Sequence, residues 1–152
     1  MTFTLRPHRP EDFQHLYEID QACFPPGISY SKRMLRSFLN SPDAECLVAE
    51  VGAEIAGFIL TDLINAGGHI VTLDVLESAR RCGIGTALLR AAEQNLAARD
   101  AGEIVLETAT NNASAIAFWQ KHGYRTGGVI KNYYSDRTDA FWMIKSLREI
   151  AG

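Results

Sequence analysis

The sequence is short of cysteine, of surplus basic charge and of long apolar runs, and each shortage argues against a class of protein. Its three cysteines are odd in number and include no Cys-x-x-Cys pair, which argues against a disulfide framework or a structural zinc site. Lysine and arginine number 15 against 18 acidic residues and are scattered, so no broad basic surface for nucleic acid is expected. The longest apolar stretch, residues 55–60, is too short to span a bilayer, and residues 1–7 lack the apolar core of a signal peptide. We expect a cytoplasmic protein without a metal that binds neither nucleic acid nor a membrane; monomer and homodimer both stay open.

Hydrophobic residues make up 47% of the 152 residues and charged residues 22%, the balance of an ordinary globular protein. This length predicts one domain over residues 1–152, large enough for a real core. Apolar spacing and turn residues predict the order β-α-α-β-β-β-α-β-α-β-β, an α/β fold in which a mixed sheet carries helices on both faces. The predicted strands cover residues 3–6, 46–51, 55–64, 69–75, 104–108, 124–133 and 140–146, and the predicted helices cover residues 10–23, 31–39, 83–102 and 112–122.

A glycine-rich segment joins the fourth predicted strand to the third predicted helix. It reads Arg80-Arg81-Cys82-Gly83-Ile84-Gly85-Thr86. A strand that turns through glycines into a helix leaves the first N–H groups of that helix without intrahelical partners. These donors, the positive end of the helix dipole and the two arginines favour a phosphate or pyrophosphate, and glycines permit its close approach. The segment therefore predicts a phosphorylated ligand, with a plain tight turn as the alternative.

Two common phosphate-binding motifs do not fit this segment. A P-loop would continue with Gly-Lys-Ser/Thr, and a dinucleotide-binding turn would place a glycine where Leu88 stands. The pattern Arg/Gln-x-x-Gly-x-Gly/Ala does fit, from Arg80 to Gly85. It resembles the acetyl-CoA pyrophosphate loop of the GNAT acetyltransferase superfamily.

Two later segments strengthen that resemblance. The stretch from Leu106 to Tyr124 resembles the L-E-x-x-x-x-N-x-x-A-x-x-x-Y-x-x-x-G-F/Y segment of RimI-type N-terminal acetyltransferases. The residues Lys131-Asn132-Tyr133-Tyr134 with Asp139-Ala140 resemble the R-N-Y-Y…D-A hairpin of the same group. The resemblance implies one GNAT domain whose mostly antiparallel sheet is splayed at the acetyl-CoA site.

The resemblance also assigns residues to the donor substrate, acetyl-CoA. One strand would pair its backbone with the pantetheine arm, the glycine loop would bind the pyrophosphate, and an asparagine would hydrogen-bond the pantetheine arm. Asn112 also suits a simple helix N-cap, and both roles stay open. In order, the implied donor-site residues are Leu73, Asp74, Val75, Arg80, Arg81, Cys82, Gly83, Ile84, Gly85, Thr86 and Asn112.

Amine acetylation needs a general base, because an α-amino group has a pKa of roughly 8 and a lysine amine roughly 10.4. Glu107 is our first candidate: it is the only charge after the apolar run Ile104-Val105-Leu106, and burial raises the pKa of a carboxyl group toward a useful value. It also stands where the RimI-type family has its base. A solvated or ion-paired strand-end acid is the alternative, and Asp74 and His69 are the second-choice bases.

The sequence departs from the family at the general acid. Trp119 replaces the tyrosine that would protonate the departing CoA thiolate, and an indole N–H is no acid, although Trp119 can pack beside the thiol. Tyr134 is our first substitute, with Tyr133 and Tyr30 behind it; unassisted departure of the thiolate is the alternative. We place Tyr30 and Tyr133 in the acceptor site, between the loop after the first helix and the last hairpin.

These residues predict an acetyl-CoA-dependent N-acetyltransferase that works by direct attack in a ternary complex, because no nucleophile with an adjacent base stands out. A peptide or protein N-terminal α-amine is the first-choice acceptor. The alternatives are a small-molecule amine, such as a polyamine, antibiotic or metabolite, and a non-catalytic acyl-CoA-binding module.

Overall fold

The computed structural model describes residues 2–148, and the order of their elements is the predicted one. The strands are β1 (Thr4–Pro7), β2 (Glu45–Val51), β3 (Glu54–Ile64), β4 (Gly67–Val75), β5 (Glu103–Ala109), β6 (Arg125–Ile130) and β7 (Ala140–Ser146). The helices are α1 (Phe13–Cys23), α2 (Lys32–Leu39), α3 (Ile84–Ala98) and α4 (Ala113–Lys121). The expected mixed α/β fold is confirmed.

One sheet contains all seven strands, in the order β1-β2-β3-β4-β5-β7-β6. Neighbouring strands are antiparallel except for β4 and β5, which are parallel. In the last hairpin β7 pairs with β5, and β6 forms the edge of the sheet. The parallel pair therefore stands at the middle of the sheet, with antiparallel strands on both sides.

Helices cover both faces of the sheet and bury two separate apolar clusters. The cluster under α3 and α4 includes Leu88, Leu96 and Trp119. The cluster under α1 and α2 includes Leu16, Leu35 and Phe58. Among residues 2–148, none of the helices has both the length and the apolar character that a membrane crossing needs.

Two predicted elements are longer than the observed ones. Helix α3 ends at Ala98 rather than near residue 102, because Arg99 leaves helical geometry and Asp100 takes a positive φ of 66°. The strand predicted over residues 124–133 becomes β6 alone, because Asn132 also takes a positive φ of 53° and the chain turns there. A left-handed backbone conformation at a non-glycine residue interrupts both helices and strands.

A bulge in β4 decides which of its side chains reach which face. Leu60 pairs with Thr72 while its neighbour Thr61 pairs with Ile70, so Val71 is the extra residue. Such a residue shifts the alternation of the strand by one position. Val71 accordingly belongs to the α1–α2 cluster, whereas Leu73, two residues on, packs on the α3 side.

Candidate active site

The site lies where the two parallel strands separate. β4 and β5 pair at only two positions, Gly68 with Ile104 and His69 with Val105. Beyond these pairs β4 continues to Val75 and β5 to Ala109 without facing each other. Residues 70–75 of β4 therefore have no strand partner on the side away from β3, although side chains bind the carbonyls of Val71 and Val75. The resemblance places the pantetheine backbone contacts of residues 73–75 along this edge.

Helix α3 begins at the end of this opening. Gly83, its N-cap, has φ +85°, and a Cβ at that position would meet no atom within 4 Å. The amide of Ala87 donates to the Gly83 carbonyl at 3.0 Å, which leaves the amides of residues 84–86 without an intrahelical acceptor. An open approach and free amides at a helix N-terminus suit a pyrophosphate.

The two arginines of the loop take different positions. Arg80 is turned back onto the strand, where its Nε donates to the Val75 carbonyl at 2.9 Å. Arg81 is exposed and has φ +66°, and the Cys82 thiol lies 3.6 Å from the Arg80 carbonyl. Arg81 is thus the arginine whose charge is free for a diphosphate, while Arg80 stiffens the loop.

Helix α4 borders the same opening. The Asn112 side chain caps it by accepting from the amide of Ala115 at 3.2 Å, so the N-cap interpretation is confirmed. Capping uses the amide oxygen and leaves the Asn112 Nδ2 group for the pantetheine arm. Trp119 is 7% exposed and packs edge-on against Phe118 and Tyr124. Its proposed contact with the thiol stays a prediction.

On the opposite face of the sheet, Glu107 is the centre of a hydrogen-bonded group. Its Oε1 lies 2.8 Å from His69 Nε2 on β4 and accepts from the Tyr133 hydroxyl at 3.2 Å. The His69–Glu107 contact bridges the two strands just where they separate. Both side chains keep part of their surface open, 15% for His69 and 18% for Glu107, so a substrate can reach them. Burial raises the pKa of Tyr133 to about 12, and the neighbouring Glu107 charge acts in the same direction, so its hydroxyl stays a donor.

Two tyrosines complete this face. Tyr30 donates its hydroxyl to the Val71 carbonyl at 3.0 Å, and burial raises its pKa beyond the usual tyrosine range. Tyr134 packs edge-on against Tyr133, and burial raises its pKa as well, followed by the Tyr133 and Glu107 charges. Both hydroxyls therefore keep their protons at neutral pH. The Tyr30 hydroxyl is engaged by the Val71 carbonyl, and the raised pKa of Tyr134 makes it a weaker acid than an ordinary tyrosine. The role of Tyr134 at the departing thiolate stays a prediction.

The loop after α1 meets the last hairpin, as the sequence predicts. Ser135 donates to the Gly27 carbonyl through its amide at 3.1 Å and through its hydroxyl at 2.8 Å. Gly27 has φ +92°, and a Cβ there would lie 2.6 Å from the Cβ of Asp136, so only glycine permits this contact. The two loops therefore close one end of the surface that carries Glu107.

Sequence reasoning missed two residues next to the site. His122 is no candidate in the sequence analysis, but its Nε2 lies 3.3 Å from the Thr86 hydroxyl of the glycine loop, and partial burial lowers its pKa. Asp20 is no candidate in the sequence analysis, yet it is buried on the apolar face of α1 and its carboxylate accepts from the Tyr30 amide at 2.7 Å. An acidic residue inside an otherwise apolar helix face was the available signal for Asp20; no signal marked His122.

Comparison with known proteins identifies the family of the chain. Residues 13–124 match the Acetyltransferase (GNAT) family. The chain belongs to the GNAT acetyltransferases. It is 30% identical over 158 aligned positions to the N-alpha-acetyltransferase of Sulfurisphaera tokodaii, covering 95% of this chain and 93% of that one. The expectation of an acyltransferase is therefore confirmed, and the matched range includes the glycine loop, Glu107 and Trp119.

Two solved structures share the GNAT fold of this acetyltransferase. The ribosomal-protein-S18-alanine N-acetyltransferase of Escherichia coli superimposes with a TM-score of 0.85 at 23% identity, covering 96% of this chain and 94% of that one. Arabidopsis thaliana NAA60 in complex with acetyl-CoA gives a TM-score of 0.84 at 20% identity, covering 95% and 98%. The RimI-type resemblance of this GNAT chain is confirmed at the level of its fold.

Proposed function

We propose that this GNAT protein transfers the acetyl group of acetyl-CoA to the N-terminal α-amine of a peptide or protein, by direct attack in a ternary complex. The observation that carries the proposal is the Glu107 carboxylate at the separation of β4 and β5, held by His69 at 2.8 Å and by Tyr133 at 3.2 Å. Acetyl-CoA as the donor is supported by the free amides at the start of α3 and by the acetyl-CoA complex of the Arabidopsis relative in fold.

In the proposed reaction the thioester occupies the opening between the strands, and the amine approaches from the face of α1 and α2. Glu107 accepts a proton from the α-ammonium group, directly or through one water, and the freed lone pair of the nitrogen attacks the thioester carbonyl carbon. The nitrogen releases its second proton to solvent as the amide forms. His69 and Tyr133 hold the carboxylate in place. The C–S bond then breaks and CoA leaves as a thiolate. Tyr134, whose raised pKa keeps its hydroxyl protonated, donates a hydrogen bond to that thiolate, and solvent supplies the proton.

A covalent acyl-enzyme is not needed, and among the residues that the structure describes this face carries no cysteine thiolate to form one. Burial raises the pKa of the Cys23 thiol to about 11, and burial raises the pKa of Cys46 further. Both are therefore thiols at neutral pH, and only a thiolate is a competent nucleophile. Direct transfer from acetyl-CoA to the amine follows.

Three arguments favour an α-amine as the acceptor. Deprotonating it at pH 7 requires on the order of 1 kcal/mol, against nearly 5 kcal/mol for a lysine amine, which suits a single carboxylate base. The Gly27–Ser135 contact closes one end of the acceptor face, so a chain terminus fits there better than the middle of a chain. The similar protein from Sulfurisphaera tokodaii is named an N-alpha-acetyltransferase, and the one from Escherichia coli a ribosomal-protein-S18-alanine N-acetyltransferase.

The deciding experiment follows thiol release from acetyl-CoA with matched acceptors. One peptide carries a free α-amine and no lysine; its control has the same sequence with a blocked N-terminus and one internal lysine. Polyamines and aminoglycosides form the third group. We expect turnover only with the free α-amine. Acetylation of small amines alone would replace the peptide proposal by the small-molecule one, and absence of turnover with bound acetyl-CoA would favour a non-catalytic module. The cytoplasmic location and the monomeric or homodimeric state stay predictions.

A further inference from the structure

Two buried carboxyl groups meet between α1 and β4, close to the acceptor face. Asp20 on α1 is 0% exposed and Asp74 on β4 is 1% exposed. One oxygen of each is satisfied: Asp20 Oδ2 accepts the Tyr30 amide at 2.7 Å, and Asp74 Oδ1 accepts the Thr72 hydroxyl. Among residues 2–148 the other oxygen of each, Asp20 Oδ1 and Asp74 Oδ2, finds no donor. The two side chains nevertheless lie within hydrogen-bonding reach of each other.

A single proton satisfies both of these oxygens at once. Two carboxylates in one buried site repel each other and leave two acceptors without a donor, whereas an acid beside a carboxylate forms one strong O–H···O hydrogen bond. The proton belongs on Asp74, since Asp20 receives the Tyr30 amide, which favours its charged form. Burial raises the pKa of Asp74 well above its usual value, and the neighbouring Asp20 carboxyl adds to that rise.

We propose that Asp20 and Asp74 share one proton at neutral pH and that this hydrogen bond positions the loop of residues 24–31 against β4. Tyr30 transmits the position, because its amide binds Asp20 and its hydroxyl binds the Val71 carbonyl at 3.0 Å. The same ring borders the surface that carries Glu107. The two carboxyl groups act as a positioning pair: they are buried and touch no substrate, whereas the donor contact assigned to Asp74 is through its backbone. Its kinetic consequence rests on the proposed acetyl transfer, but its protonation does not.

The titratable groups that face the Asp20–Asp74 pair keep a constant charge near neutral pH, so the pair itself is the unit that gains or loses a proton. Cys23 on α1 and Cys46 on β2 face it as neutral thiols, because burial raises their pKa values. Tyr30 stays protonated for the same reason. Arg80 is the facing cation; it lowers the pKa of Asp74 only in part, and its Nε is bound to the Val75 carbonyl. Only one of the two carboxyl charges is therefore balanced.

The first test is spectroscopic and does not depend on any acceptor. At pH 7 the infrared spectrum of the full-length protein should contain the C=O band of a protonated carboxylic acid. Asp74→Asn and Asp20→Asn should each remove that band, because an amide then supplies the shared donor. Glu93→Gln, which changes another buried acid, should keep it. A wild-type spectrum without the band, or a band lost only in the Glu93 variant, would overturn the proposal.

The same proton predicts how stability depends on pH. The folded state holds a proton that the unfolded chain has released above the ordinary Asp pKa of 3.8. The unfolding equilibrium constant should therefore rise with pH above that value, by at most tenfold per pH unit, until the folded pair also releases its proton. Relative to the wild type, Asp74→Asn should remove this rise. Equal pH dependence in the two proteins would contradict a shared proton.

The second test separates positioning from a merely structural role. Asp20→Ala removes the partner of Tyr30 and of Asp74, and we expect the acceptor KM to rise about tenfold, the loss of one net hydrogen bond. Asp20→Asn keeps an acceptor for the Tyr30 amide and a donor for Asp74, so it should restore KM to within about threefold. The acetyl-CoA Kd should change little in either variant. Equal KM values for the two variants would refute positioning. If Asp20→Ala does not fold, the Asp20→Asn variant still tests the proposal: its infrared spectrum should lack the carboxylic-acid band, and its acceptor KM should stay within about threefold of the wild-type value. The kinetics use whichever amine the enzyme accepts, so failure of the peptide proposal is seen separately.

Discussion

Replacing Glu107 with glutamine removes one charge from the acceptor face and keeps the size of the side chain. The glutamine carbonyl oxygen can still accept from Tyr133 and from His69, so both neighbours keep a partner. What disappears is the carboxylate that takes the proton of the amine. General-base catalysis contributes roughly 10²- to 10⁴-fold. We therefore expect kcat to fall at least about 100-fold, or about 2.7 kcal/mol of barrier at 1.36 kcal/mol per decade.

The assay follows thiol release at pH 7 with saturating acetyl-CoA and an unblocked peptide. Glu103→Gln is the matched control, because Glu103 lies four residues earlier on β5, on the same face, and is exposed. It loses the same charge away from the opening and should keep kcat within about twofold, since surface changes of this kind have small effects. Acetyl-CoA affinity and thermal stability should be similar in all three proteins. A decrease in kcat of less than about threefold for Glu107→Gln, or an equally large decrease in kcat for Glu103→Gln, would refute the assignment of the base.

The pH profile of Glu107→Gln gives a second reading of the same idea. Without an internal base the enzyme must capture an amine that solvent has already deprotonated. The residual rate should then rise about tenfold per pH unit and level off near pH 8, the ordinary pKa of an α-amine. A residual rate independent of pH between 6 and 8 would show that another group takes the proton.

Two pairs of glycine variants test the geometry. Gly83→Ala should weaken acetyl-CoA binding about five- to thirtyfold by calorimetry, because φ +85° strains a residue that has a Cβ by about 1–2 kcal/mol. Gly85→Ala should bind acetyl-CoA nearly as the wild type does, since its Cβ would make only ordinary contacts at 3.4–3.5 Å. Equal loss of affinity in both variants would contradict a conformational role for Gly83. In denaturant unfolding, Gly127→Ala should lower the free energy of unfolding by about 1–3 kcal/mol, because its Cβ would lie 2.1 Å from the Trp142 ring. Gly102→Ala should leave the free energy of unfolding nearly unchanged, because a Cβ there would meet no atom within 4 Å. Unchanged stability of Gly127→Ala would mean that Trp142 can leave its place freely.

Local patterns in the sequence were sufficient for the elements and for the donor loop. Ser31, the first residue of the predicted second helix, caps α2 by accepting from the Met34 amide at 3.2 Å, and Asn112 caps α4 in the same way. These features depend on contacts between residues close in sequence, so spacing and residue type reveal them. The predicted third helix and sixth strand were too long, because a positive φ at Asp100 and at Asn132, which residue type does not reveal, ends each element early.

The acceptor face was predicted as a set of residues but not as an arrangement. Glu107 and Tyr133 were candidates from their motifs, and His69 was only a second-choice base. Their meeting depends on β4 and β5 becoming neighbours across 38 positions of sequence. Alternation along a strand indicates which face a side chain occupies but not which strand lies beside it. The family match confirms the class of enzyme, while the individual roles stay predictions.

The sequence by itself determined the order of the elements, the phosphate-binding turn before α3 and the resemblance of its motifs to the GNAT acetyltransferases. Each of these depends on short-range spacing and residue type. Only the tertiary structure decided that the two parallel strands separate after His69, that a bulge at Val71 shifts the alternation of β4, and that Asp20 meets Asp74 in a buried site. The physical reason is that desolvation and the sharing of a proton arise between groups distant in the chain, and their strength depends on burial that no local pattern specifies.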